Sequence, residues 1–151
     1  KYHLPAILHI RSGIKEESIP DRGVVDADED AISIFKVNPP KFGAVYHCFC
    51  GDVETIKRYC DVGVKYFGIG GKIFYEKELE ETVRFMPEDS LVLETDAPYI
   101  RIPDMKGPNT SLSLWDIAER IAIVRGTTTE KIIELTTKNA ERLFDAGYGD
   151  V

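Results

Sequence analysis

The chain has 151 residues, with 19 lysines and arginines against 26 aspartates and glutamates, a formal charge of −7, and 43% hydrophobic residues. This composition suits one folded globular domain and excludes a disordered tail, a collagen-like repeat and a disulfide-stapled miniprotein. It also excludes a nucleic-acid-binding module that works by overall positive charge, but not an enzyme that meets phosphates through metal ions and local cations.

No apolar run reaches the roughly 18 residues that a membrane span needs, and the opening residues show no charged-then-apolar leader. Three cysteines, an odd number, predict free thiols in a reducing compartment. A cytoplasmic location without a membrane partner is expected.

In chain order, Leu4–Ile10 is a strand-length apolar segment ending in polar residues. The acidic residues Glu16-Glu17 and Asp26 to Asp30 read as a solvated loop and a helix N-terminus, where carboxylates oppose the positive end of the dipole. A helical pattern covers Ala27–Val37, a second strand Ala44–Phe49 and a second helix Val53–Cys60, with Cys60 as a small core residue. Val64–Ile69 is the third strand. Its extension Gly68-Ile69-Gly70-Gly71-Lys72 lacks the hydroxyl and spacing of a phosphate loop, so the glycines are expected to turn the backbone and Lys72 to contact phosphate. A helix over Glu76–Phe85 and a fourth strand, Leu91–Thr95, follow.

The last third is helical. Leu114, Ile117, Ala118, Ile121 and Ala122 make one apolar face, with Trp115 expected in the core. Gly126 is placed to end that helix, Thr127 and Glu130 have capping-box spacing for the next, and Asn139 to Phe144 gives a final short one.

Near-continuous apolar strands alternating with helices predict a parallel sheet of about four βα units followed by C-terminal helices. A (β/α)8 barrel needs eight strands and typically about 250 residues, so residues 1–151 are expected to form a single domain equivalent to a partial barrel of the TIM type.

Three strands end in residues that an apolar core does not favour: His9, His47 and Asp96. The C-terminal strand ends form the active face of α/β proteins. Two imidazoles and a carboxylate there would suit a divalent cation able to activate water for hydrolysis. Each also has a structural reading, the histidines as hydrogen-bonded strand ends and Asp96 as a turn cap. Arg11 and Arg101 stand beside these residues as phosphate contacts or as partners in surface ion pairs. His47-Cys48-Phe49-Cys50 is not expected to form a soft zinc site, because strand alternation would point Cys48 and Cys50 away from His47. The acidic run lacks the glycine and terminal glutamate of a calcium loop.

His9-Ile10-Arg11, His47-Cys48-Phe49-Cys50-Gly51, Gly70-Gly71-Lys72-Ile73, Leu93-Glu94-Thr95-Asp96-Ala97-Pro98-Tyr99 and Asn139-Ala140-Glu141-Arg142-Leu143-Phe144 occur in that order. Together they resemble the C-terminal portion of the TatD family of metal-dependent hydrolases, many of them deoxyribonucleases. The resemblance implies a distorted (β/α)8 barrel with a two-metal centre, magnesium, manganese or zinc. It also implies His9 and His47 as ligands of one metal, Asp96 as a ligand of the other and a proton acceptor, and DNA as substrate. The family's opening His-x-His and bridging glutamate have no counterpart, His3 being the only other histidine, and its Asn-Glu-Pro reads Asn109-Thr110-Ser111. The resemblance therefore implies an incomplete metal site, and a homo-oligomer or a missing N-terminal half is expected, since a half-barrel leaves an apolar inner face and two strand edges open. The alternatives are a non-catalytic or truncated half-barrel that has lost activity, and a related barrel hydrolase acting on a small ester or amide.

Overall fold

The computed structural model describes residues 4–11 and 26–145. His3 and the acidic pair Glu16-Glu17 lie outside the described residues. Four strands, β1 (Ala6–Leu8), β2 (Ala44–Tyr46), β3 (Tyr66–Ile69) and β4 (Leu91–Leu93), form one parallel sheet in the order β1-β2-β3-β4. The helices are α1 (Ala27–Val37), α2 (Val53–Cys60), α3 (Lys77–Phe85), α4 (Leu114–Arg125) and α5 (Thr129–Asp145).

Each strand is shorter than the apolar run that encodes it. Single hydrogen bonds carry the pairing a little further, from His47 N–H to the Leu8 carbonyl at 2.9 Å, from Phe49 N–H to the Gly68 carbonyl at 3.0 Å and from Glu94 N–H to the Ile69 carbonyl at 3.2 Å. Beyond them the backbone leaves the sheet and delivers polar side chains to its end.

The helix starts follow local chemistry. Asp26 caps α1, its carboxylate accepting from the Asp28 and Glu29 N–H groups at 3.1 Å each. Asp52 caps α2 by accepting from Thr55 N–H and Oγ1–H at 2.8 and 2.7 Å, and these bonds hold its carboxyl below the usual range. Gly126 ends α4 with φ 63°, the left-handed conformation glycine adopts without a Cβ penalty.

Register separates the two faces of the sheet. Ala6 and Leu8, Ala44 and Tyr46, Phe67 and Ile69, and Leu91 and Leu93 share one face, which packs into the main core with Ile32, Ile56, Tyr59, Leu79, Val83, Ile117 and Ile121 from α1 to α4. Ile7, Val45, Tyr66, Gly68 and Val92 share the other. Val45, Tyr66 and Val92 form a second cluster with Leu143 from the end of α5. α1 to α4 pack on one face and the other meets a helix only at the end of α5, through Leu143, so among the described residues the helices lie chiefly on one side, as in a barrel wall and unlike a doubly wound sheet.

Several local expectations are corrected. α5 is one continuous helix where two are expected, because Asn139 leaves its own backbone alone and donates through Nδ2 to the Glu88 and Leu91 carbonyls, both at 2.7 Å. Its cap is Thr128, whose Oγ1 accepts from Lys131 N–H at 3.4 Å, one residue later than the Thr127 spacing suggests. Trp115 is 53% exposed instead of buried, lining a groove with Leu93, Leu112 and Ile133 beside β4. Cys60 is exposed at the end of α2. The inner face is less open than expected: Ile7 is 65% exposed, but Val45, Tyr66 and Val92 are buried.

Candidate metal centre

Two residues beyond Ile7, Val45 and Val92, the inner-face rows reach His9, His47 and Glu94. These side chains therefore emerge at the C-terminal ends of β1, β2 and β4. His47 Nδ1 lies 2.9 Å from Glu94 Oε2, and His47 Nε2 lies 3.3 Å from Asp96 Oδ1. The His9 ring sits beside His47, with centroids 5.5 Å apart and planes tilted by 31°.

Glu94 was not singled out in the sequence, where it reads as one polar residue in an apolar strand. Gly68 in β3 and Gly70 just after it are the signal. A Cβ on Gly68 would lie 2.1 Å from Glu94 Oε2, and one on Gly70 would crowd the Glu94 backbone and Cγ at 3.3 and 3.4 Å. Gly68 and Gly70 make room for a carboxylate across the sheet, while the chain turns as expected after Ile69 into a short 3-10 helix at Gly71–Phe74. The other oxygen, Glu94 Oε1, is buried without a hydrogen-bond partner.

When Glu94 accepts the Nδ1 proton, His47 presents the Nε2 lone pair to the Asp96 carboxylate. Two acceptors then face one another, an arrangement that a cation between or beside them would satisfy. Imidazole nitrogen and carboxylate oxygen are together good donors to zinc or manganese, so the residues present fit part of a divalent metal site. Among the described residues, no three His, Cys, Asp or Glu side chains are grouped so as to hold a metal ion. His9 lies alongside His47, and Asp96 meets His47 at Nε2.

The Asp96 loop is braced from below. Asp96 has φ 56°, a left-handed conformation uncommon outside glycine. Buried Asn109 donates through Nδ2 to the Thr95 and Ile100 carbonyls at 2.7 and 3.0 Å, and through its backbone to the Pro98 carbonyl at 3.0 Å. Asn109 Oδ1 accepts from Thr110 N–H and Ser113 Oγ–H. Asn109 thus holds both sides of the turn that carries Asp96.

His9, His47 and Asp96 line one cleft of about 630 Å3 together with Arg11 and Lys72. Arg101 is exposed and outside this lining, and its carbonyl accepts from Tyr75 Oη–H at 2.6 Å. Cys48 and Cys50 line the cleft too, contrary to strict strand alternation, because β2 ends at Tyr46 and Cys48 adopts φ 54°. Asp28, at the start of α1, forms another wall, accepting from Tyr46 and Tyr59 hydroxyls at 3.1 and 2.8 Å. Burial, with Asp28 beside them, holds both phenols above the usual tyrosine value.

The chain is similar in sequence and fold to proteins of known family. The model for TatD-related DNases matches residues 1–145. The chain is 33% identical over 146 residues to the uncharacterized metal-dependent hydrolase YabD of Bacillus subtilis, covering 94% of this chain and 51% of YabD. It is 37% identical over 114 residues to the 3′-5′ ssDNA/RNA exonuclease TatD of Salmonella typhimurium, covering 70% of this chain and 44% of that protein. The crystal structure of YJJV, a TatD homologue from Escherichia coli K12, superposes with a TM-score of 0.76 at 25% identity, over 94% of this chain and 50% of YJJV. The chain spans about half the length of the curated relatives it matches. With its strand-end imidazoles, its Glu-x-Asp motif and its barrel-wall fold, the chain belongs to the TatD-related DNase family.

Proposed function

We propose that this chain carries one half of the active site of a metal-dependent phosphodiester hydrolase acting on DNA. His9 and His47 hold one divalent cation, magnesium, manganese or zinc, and Asp96 is a ligand and the proton acceptor. The observation that carries this reading is the position of His47, with Glu94 on Nδ1 and the Asp96 carboxylate opposite Nε2. A bound divalent cation would supply Lewis-acid polarisation and bring the pKa of a coordinated water toward about 7. The chain's own residues do the rest. Glu94 orients His47, and Asp96 takes the proton of the attacking water. Arg11 and Lys72 offset phosphate charge inside the cleft, and Arg101 meets the substrate strand outside it. The nucleic-acid substrate is supported by the exonuclease name of the Salmonella relative.

The test is hydrolysis of a 3′-labelled single-stranded DNA by the chain with magnesium or manganese, beside EDTA and His47→Ala arms. The expected result is metal-dependent cleavage lost in both arms. A folded chain that does not cleave favours the second reading, a half-barrel without chemistry of its own, which the lack of three grouped donors among the described residues also supports.

Among the described residues β1 and β4 each pair on one edge only. Beside β4, Leu93, Leu112, Trp115 and Ile133 line an apolar groove. We propose that further strands close these edges, from a second copy or from an N-terminal half. Sedimentation velocity should show a species heavier than the 17.0 kDa monomer, and a monodisperse monomer would rule out self-association.

A further inference from the structure

Phe85 and Tyr99 are each 71% exposed, in opposite electrostatic settings. Phe85 lines a groove between α2 and α3 whose carboxylates, Asp52, Glu54, Glu78 and Glu81, outnumber the cation Lys57, so that surface repels anions. Tyr99 lines the metal cleft beside Arg11 and Lys72. Of the carboxylates there, Asp28 is engaged by two tyrosine hydroxyls and Asp96 faces His47. Tyr99 is exposed, yet its backbone is held on every side. Its N–H donates to the Asp96 carbonyl at 2.9 Å. The flanking carbonyls of Pro98, Ile100 and Arg101 accept from Asn109 N–H, Asn109 Nδ2 and Tyr75 Oη–H. Gly71 lets the short 3-10 helix close on this loop, since a Cβ there would lie 2.8 Å from the Ile100 carbonyl oxygen. Ile100 has φ 38°, a left-handed conformation that a β-branched residue rarely adopts and that only over-determined surroundings hold. The fold thus fixes the backbone around an aromatic ring and leaves the ring itself in solvent at the cleft.

We propose that Tyr99 is the platform on which an unpaired nucleobase next to the scissile phosphate stacks, so that the cleft selects single-stranded or frayed ends. This rests on the hydrolase reading above and adds a base-binding subsite to it. Cations such as Arg11 and Lys72 hold phosphates and carry no information about the base or its pairing. An aromatic face does, because it needs the face of a base that has left its own stack. Every base has such a face, so stacking tolerates any sequence. In a duplex interior both faces of each base are covered by neighbouring pairs, and Tyr99 finds no partner. A subsite of this kind is tolerant of sequence and intolerant of pairing.

The test is equilibrium binding by fluorescence anisotropy at low ionic strength in EDTA, which suppresses cleavage. The probes are a short oligothymidine with 2-aminopurine at both ends and an abasic strand of the same length. The chain should bind the oligothymidine more tightly than the abasic strand and quench 2-aminopurine, whose emission falls when it stacks. Tyr99→Ala should abolish the quenching and weaken oligothymidine binding by about 5- to 100-fold, while changing abasic binding by less than about twofold. Tyr99→Phe should keep both affinity and quenching. Because the ring is exposed, Tyr99→Ala should leave the urea midpoint unchanged, which separates a lost contact from a lost fold. Arg11→Gln should weaken both strands alike. Binding that depends on Arg11 but neither on Tyr99 nor on the bases overturns the stacking subsite and leaves the hydrolase reading standing. Binding of neither strand by the unaltered chain overturns both.

Discussion

Gly68→Ala is expected to weaken manganese binding by roughly 10- to 100-fold, the usual cost of disturbing a residue that orients a metal-bound histidine. The added methyl would stand 2.1 Å from Glu94 Oε2 and 2.8 Å from its carboxyl carbon, closer than any real Cβ contact. Oε2 is the atom that meets His47 Nδ1 at 2.9 Å. The carboxylate must therefore swing away, and His47 loses the partner that fixes its ring and tautomer. The same overlap should cost about 1–3 kcal/mol of stability. In a Glu94→Ala background the obstacle is gone, so Gly68→Ala should be nearly silent on folding, with the coupling visible in a double-mutant cycle by urea denaturation. Wild-type manganese affinity in Gly68→Ala would show that Glu94 does not orient His47.

Asn139→Ala is expected to destabilise the fold by about 3 kcal/mol, because two buried carbonyls lose their donor at once. Asn139 is 0% exposed, and its Nδ2 reaches the Glu88 and Leu91 carbonyls at 2.7 Å each, tying α5 to the turn that launches β4. Asn139→Asp should be no better, since a carboxylate aimed at two carbonyl oxygens repels both. The urea midpoint measures each, and a loss below about 1 kcal/mol in both variants would mean that the amide is incidental. The metal cleft sits at the opposite end of β4, so His47→Ala should leave this stability term unchanged.

Much of the fold was written locally. α1 and α2 begin and end where the apolar pattern places them, because Asp26, Asp52 and the residues around them cap their own helices. Gly126 stops α4 for an equally local reason. His9, His47 and Asp96 stood out because polar residues at strand ends contradict their apolar surroundings. Glu94 did not, because what admits it is the absence of a side chain on a neighbouring strand more than twenty residues earlier. Trp115 was misplaced because helical periodicity marks an apolar face without showing how much of it is covered. Cys48 and Cys50 entered the cleft through a left-handed turn that no alternation rule anticipates.

The alternation within each strand has a consequence for how this sequence can change. Leu8 and His9, Tyr46 and His47, and Leu93 and Glu94 are adjacent pairs in which the first residue serves the helix-facing core and the second serves the cleft. A deletion of one codon inside any of these strands would exchange the two duties, driving an imidazole or carboxylate into hydrocarbon and a leucine or tyrosine into the cleft. Substitutions are graded insults to this sheet, whereas single-residue insertions or deletions are all-or-none. Natural length variation in the family should therefore be confined to the stretches between strands, such as the one joining Val62 to Lys65.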